Sequence, residues 1–187
     1  MGFEINEEYD AVIKYYSIKV KEVKGEKVLA MDKSITLPMH ADDLEMVKAN
    51  KSTIIAYIES KKAYEEEQKR IRQEKIAGIP GLKTIREARA DIDKWYHEFN
   101  NLFEGEYAVG GLGGRPKPEY DFDKMYEQYP LARAYLKAEA FANASHAHKR
   151  IAGKKAVDRI LNDEDYTQVL LDMEAEWKAY CEDHVWD

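Results

Sequence analysis

A few side chains of this chain are suited to metal or nucleophilic chemistry, but their spacing argues against both. His146 and His148 are two residues apart and would point to different faces of a helix, whereas metal ligands on helices are usually three or four residues apart. The single cysteine, Cys181, precedes Glu182 and Asp183, whose charges disfavour the reactive thiolate, so we expect Cys181 to lie in the core. The remaining histidines are isolated in sequence and are expected to be structural: His40, His97 and His184.

Two further patterns resemble sites for phosphate or for Mg²⁺. The glycine-rich segment 110–114, followed by Arg115, matches neither of the two common phosphate-binding motifs, and it follows a predicted helix where both motifs follow a strand. We interpret it as a connecting loop; a second interpretation is that Arg115 and Lys117 order it on a partner. Close acidic pairs such as Asp91 and Asp93 are typical of a solvated surface. The sequence therefore predicts no enzymatic activity, no metal and no cofactor.

Acidic side chains are concentrated at the end of the chain. Residues 163–187 contain nine acidic residues and one basic residue, Lys178, in a protein whose net charge is −7. Apolar and aromatic residues recur there at steps of three and four, which predicts a helix with one acidic and one aromatic-rich face. Such a helix suits a partner with a basic surface, and the expected partner-binding residues are Asp163, Glu164, Asp165, Asp172, Glu174, Glu176, Glu182 and Asp183.

The preceding stretch, 133–159, is basic, with seven Lys or Arg residues against two acidic ones. Two explanations of it stay open. The stretch could contact a nucleic-acid backbone, through Lys149, Arg150, Lys154 and Lys155. It could instead neutralise the acidic last helix where the two pack together.

The elements that must position these residues are mostly helical. Alternating apolar residues on both sides of Gly25, between residues 10 and 37, predict a β-hairpin. Ser52 to Ala77 reads as a long, highly charged helix, and a second long helix from Leu82 to about Leu102 carries an apolar stripe, including Tyr96, that is expected to be core. From Pro130 onward a small-residue helix face predicts close helix packing, interrupted at Gly153.

This pattern predicts an α+β, predominantly helical protein, with an N-terminal β-hairpin followed by long helices and a C-terminal helical domain. We divide it into a hairpin and short helix at 1–50, long helices at 51–103, a Gly/Pro-rich loop at 104–120 and a C-terminal helical domain at 121–187. One cysteine excludes an internal disulfide. No segment has the ~20 apolar residues of a membrane span, and no export signal is present, so we expect a cytoplasmic protein without membrane contact.

Several stretches resemble small acidic proteins carried by phages and mobile elements of gut Firmicutes. They are GIPGL at 78–82, YHEFN at 96–100, YPLARAYLKAE at 129–139, GKKA at 153–156, DMEAEW at 172–177 and HVWD at 184–187. The resemblance covers roughly residues 78–187 and leaves out the hairpin and the charged helix. Short phage proteins of this type include inhibitors of bacterial defence, notably type II anti-CRISPR proteins.

The resemblance implies a phage-encoded, stoichiometric inhibitor that acts in the bacterial host cell. Its partner would be a CRISPR effector nuclease, a protein–RNA complex, whose DNA binding or cleavage it blocks with the acidic helix. The alternative function is a phage nucleic-acid-binding accessory protein that uses the basic stretch 133–159 to contact DNA. A homodimer through the helix from Ser52 to Ala77 is a further expectation.

Overall fold

The computed structural model of this chain describes residues 3–31, 38–104 and 117–184, with the side chains of 99–104 excepted. Its elements in chain order are α1 (Glu7–Tyr15), β1 (Lys19–Val23), β2 (Glu26–Ala30), α2 (Ala41–Ala49), α3 (Lys51–Ala77), α4 (Leu82–Glu104), α5 (Phe122–Gln128), α6 (Pro130–Ala142), α7 (Ala147–Leu161) and α8 (Tyr166–Asp183). The predicted fold class, α+β and predominantly helical with an N-terminal hairpin, is confirmed.

The hairpin joins β1 and β2 in an antiparallel pair with Lys19 opposite Ala30 and Val23 opposite Glu26. Lys24 and Gly25 between the strands both have positive φ, 53° and 83°, as a tight two-residue hairpin turn requires. The predicted turn at Gly25 is therefore confirmed.

The start of the predicted hairpin was wrong, because residues 7–15 form α1. The Asn6 side chain accepts a hydrogen bond from the Tyr9 backbone amide, and acidic residues occupy the first turn. Both features favour a helix N-terminus. The sequence Asn-Glu-Glu at 6–8 therefore indicated the start of a helix.

The chain forms two compact units, Met1–Ile71 and Arg72–Asp187, whose boundary falls inside α3. In the first unit Val12, Tyr16 and Ile18 form a small buried cluster. The Tyr16 hydroxyl donates to Asp43 at 2.7 Å and accepts from the His40 amide at 3.0 Å, which ties the end of α1 to the start of α2. The four-part division made from the sequence stays a prediction.

A second contact set in the first unit ties α1 to α3. The Tyr57 hydroxyl donates to Asp10 at 2.8 Å, and the Lys61 ammonium lies 2.6 Å from both oxygens of the same carboxylate. Hydrogen bonding from Lys61, the larger effect, and from Tyr57 lowers the pKa of Asp10 below its ordinary value.

The second unit is built on a larger core. Ile85 of α4 is completely buried, and α6 presents buried Ala132, Ala134 and Ala138. α7 and α8 complete this core with residues that include Val157, Ile160, Val169 and Met173. The small-residue face predicted for α6 is thus at a helix interface, where it permits close approach.

Three expectations for single residues were wrong. Gly153 does not interrupt a helix but lies buried within α7 against the backbone of α6. Tyr96 is 45% exposed; among the described side chains of α4, residues 82–98, the buried ones are Leu82, Ile85 and Ala88 in its first turns. Cys181 is exposed, since α8 buries only Val169 and Met173 and its last turns extend past the core. The glycines at 110–114 and Arg115 lie outside the described residues.

Candidate functional site

Helix α8 is anchored at its start and in its middle. The Asp165 side chain caps it by accepting from the Thr167 amide at 2.9 Å. Val169 and Met173, one turn apart, are buried against the other helices of this unit. This packing sets the orientation of α8, and its acidic side chains then project toward both α6 and α7.

Four of the eight predicted acidic side chains have a basic partner on a neighbouring helix: Glu164, Asp172, Glu174 and Glu176. Glu174 pairs with Lys137 of α6, and Glu176 pairs with Lys155 of α7 at 2.7 Å. Salt bridges of this exposed kind stabilise a fold only weakly, but they remove charge from the surface. The acidic helix and the basic stretch therefore neutralise one another in part, one of the two explanations left open by the sequence.

Arg159 of α7 makes the most extensive contact of this interface. Its guanidinium donates to Glu164 at 2.7 Å and to Asp172 at 2.8 Å, so it joins the α7–α8 turn to the second turn of α8. The hydrogen bond from Arg159, assisted by one from Gln168, lowers the pKa of Asp172. The bonds to Glu164 and Asp172 raise the pKa of Arg159.

An excess of negative charge survives this pairing. Lys178 adds a pair with Glu182 at 3.6 Å within α8. Counting only described residues, no ion pair reaches Asp163, Asp165 or Asp183. Five of the eight predicted partner-binding carboxylates therefore share four cations, which are Lys137, Lys155, Arg159 and Lys178.

The four predicted nucleic-acid contacts are less available than their sequence indicates. The Lys149 ammonium lies over the rings of Phe141 and Trp177, 4.5 Å and 5.6 Å from their centroids. Arg150 donates to the carbonyls of the preceding loop, and Lys155 is paired with Glu176. Lys154 is exposed and makes no ion pair within the described ranges.

An aromatic cluster joins the start of α7 to the end of α8. The sequence predicted an aromatic-rich face on α8 but not its contact with the histidines of α7. The rings of His148 and His184 are 4.0 Å and 4.1 Å from the Tyr180 ring, each at 19° to its plane, and 6.5 Å from each other. The phenol ring therefore lies between the two imidazoles. We call His148, Tyr180 and His184 the ring column.

Other aromatic residues extend this cluster. Trp177 stacks near Tyr180 at 5.8 Å, and the His146 ring meets Trp177 edge-on at 4.9 Å. His184 is thus not isolated, and its ring nitrogen lies 3.0 Å from the Tyr180 carbonyl. The spacing of Trp177, Tyr180 and His184 at three and four residues was the available signal. Within the described part of the chain, no group of three or more His, Cys, Asp or Glu residues is placed to hold a metal ion.

The second unit also contains a cavity of about 670 Å³ beside α3, α4 and α6. Arg86 pairs there with Glu139 at 2.5 Å, and the buried Tyr135 donates to the same carboxylate at 3.3 Å. Hydrogen bonding to Glu139 raises the pKa of Arg86. The guanidinium, the carboxylate and the phenol thus satisfy one another's hydrogen bonding. The cavity is lined by Gln73, Ile76, Ala77, Leu82, Lys83, Arg86, Glu87, Ala90, Tyr135 and Glu139.

Helix α8 thus presents exposed carboxylates and stacked rings on one anchored helix, an arrangement suited to binding a partner. Over the residues that the structure describes, no helix combines the length and apolarity needed to cross a membrane. Comparison of the chain with protein-family models, with curated proteins and with solved structures finds no match in any of the three.

Proposed function

We propose that this chain is a non-enzymatic, stoichiometric inhibitor of a host defence nuclease, of the anti-CRISPR kind, which acts in the bacterial cytoplasm. Its partner is an RNA-guided type II effector, and the contact is made by the acidic surface of α8. The observation that carries the proposal is the surviving charge excess. Of the eight carboxylates on α8 and in the turn before it, five share four cations, and the other three have no ion pair in the described residues. The helix itself is anchored by its core residues.

The partner's chemistry follows from this surface. RNA-guided effectors hold nucleic acid in a positively charged channel and read the short motif beside the target with arginines. Carboxylates on an anchored helix can form charge-assisted hydrogen bonds with such arginines and compete with phosphate groups for them. An excess of charge also speeds association with an oppositely charged groove, and this effect weakens as salt is added.

The pairing of the basic stretch weighs against the alternative, a nucleic-acid-binding accessory protein. Lys155 is engaged by Glu176, and Lys149 lies over two rings of its own chain. A phosphate backbone reaching these residues would also approach the carboxylates of α8. The experiment below therefore also measures binding to bare DNA.

The test is co-elution of the purified chain with a type II effector, with and without guide RNA, together with cleavage of target DNA. The informative variant combines Asp163→Asn, Asp165→Asn and Asp183→Asn. None of these carboxylates has an ion-pair partner in the described residues, and asparagine retains both the cap at 165 and the positive φ of 62° at 163. Folding should persist while affinity falls by about tenfold or more at low salt.

A control with the same change of charge combines Glu4→Gln, Glu22→Gln and Glu45→Gln. These side chains are exposed and lie in the first unit, and we expect them to leave inhibition intact. The proposal fails if no complex forms and cleavage is unchanged, or if both triple variants inhibit equally. Salt-sensitive binding to bare DNA, abolished by changing Lys149, Arg150, Lys154 and Lys155, would favour the alternative. Turnover that depends on Mg²⁺ would instead indicate an enzyme.

A further inference from the structure

The ring column has an imidazole at each end. His148 and His184 are both exposed, and each has one ring face against Tyr180. His146 stands 6.1 Å from His148 on the α7 side. On the α8 side, the described residues place no further ring or cation on His184. Among residues 117–184, the column therefore ends at the outer face of His184.

The surroundings of the ring column favour the binding of a cation there. The faces of aromatic rings are electron-rich and attract ammonium and guanidinium groups. The chain already uses this attraction nearby, since the Lys149 ammonium lies over Phe141 and Trp177.

Carboxylates flank the column along the same helix. Glu176 precedes Tyr180 by four residues and Asp183 follows it by three, so both lie on the ring-bearing side of α8. Glu176 is already paired with Lys155, whereas Asp183 makes no ion pair in the described part of the chain. Asp183 and His184 are adjacent in sequence.

We propose that the outer face of His184, together with Asp183, binds an arginine side chain of the partner protein. This inference deepens the proposed function, on which it rests for the identity of the partner, by naming the group that the α8 surface recognises. A guanidinium is planar, so it stacks on the imidazole and still directs its N–H edge at a carboxylate. A lysine ammonium is a compact point charge and cannot do both in the same way.

The experiment uses two probes that need no nuclease: a nine-residue arginine peptide and a nine-residue lysine peptide of equal charge. Calorimetry gives their affinities for the full chain, and NMR follows the ring resonances of Tyr180 and His184. We expect the arginine peptide to bind more tightly and to shift both rings. The variant His184→Leu replaces the imidazole by an apolar side chain of similar size without a ring. It should weaken arginine binding by about two- to fivefold.

Two variants make this test specific. His97→Leu removes an exposed imidazole from α4 and should leave peptide binding unchanged. Asp183→Asn should weaken both peptides and retain the preference for arginine. Equal binding of the two peptides, ring resonances that do not move, or identical effects of His184→Leu and His97→Leu would each overturn the inference. A single-stranded DNA oligonucleotide that shifts the rings when the arginine peptide does not would overturn it in favour of base stacking.

The two proposals fail separately. If the chain inhibits the effector but His184→Leu inhibits as well as the unmodified chain, the arginine site is wrong and the proposed function stands. If the arginine peptide binds as expected and no effector is bound, the proposed function is wrong and the ring column remains an arginine-binding surface.

Discussion

Gly153 of α7 lies directly against Ala142 of α6. A β-carbon added at Gly153 would stand 2.7 Å from the Ala142 α-carbon and closer still to its nitrogen, both of them backbone atoms that cannot move aside. At this point the two helices therefore meet through backbone. This contact brings α7 and its basic residues close to α6.

Gly153→Ala should destabilise the second unit by about 1–3 kcal/mol, because the overlap outweighs the better helix propensity of alanine. Urea denaturation measures the difference. Gly78→Ala is the matched control, since its added β-carbon would be 3.4 Å from the nearest atoms, the carbonyl oxygens of Glu74 and Lys75. Equal stability of the two variants would contradict the close contact.

Asp10→Asn should destabilise the first unit in a pH-dependent way. The pKa of Asp10 is lowered below 3.8, so its ionised form stabilises the fold above that pH, and the contribution is lost as the pH falls through the lowered value. The free energy of unfolding, compared between the unmodified chain and the variant from pH 7 to pH 2, should therefore converge in acid. Glu45→Gln, at an exposed carboxylate of α2, should show no such convergence, and a constant difference for Asp10→Asn would contradict the prediction.

Arg159→Gln should change stability and binding in opposite directions. It leaves Glu164 and Asp172 without their cation, so thermal unfolding should shift to lower temperature, most clearly at low salt. The same change adds one net negative charge to the acidic surface. Under the proposed function, association with the basic partner should then become faster, as stopped-flow or surface binding would record. Slower association would count against recognition by charge.

Ile85→Ala should lower the free energy of unfolding by about 2–5 kcal/mol, because the side chain is completely buried and its removal leaves a cavity in the larger core. Ile151→Ala is the same substitution at a position that is 48% exposed, and it should have little effect on the free energy of unfolding. Chemical denaturation of the two variants checks the position of the core. Similar losses at both sites would place Ile85 outside the core.

Local patterns accounted for much of the fold. Gly25 between alternating runs predicted the hairpin turn, and Pro130 predicted the start of α6, because turn and cap chemistry involves residues only a few positions apart. The missed α1 carried a signal of the same kind in Asn6. Cys181 was misplaced because periodicity identifies a helix face but not where along that face the neighbouring helices end.

The sequence by itself determined most of the helices, the hairpin and the acidic character of α8. Only the tertiary structure decided which of those carboxylates are neutralised by an ion pair with a neighbouring helix. Lys137 pairs with Glu174, which lies 37 positions later in the sequence, and His148 stacks on Tyr180, which lies 32 positions later. Both contacts result from the packing of α6, α7 and α8. Helix periodicity relates residues three or four apart, whereas these partners are set by how whole helices pack, which depends on side chains buried elsewhere, such as Ala138, Val157 and Val169.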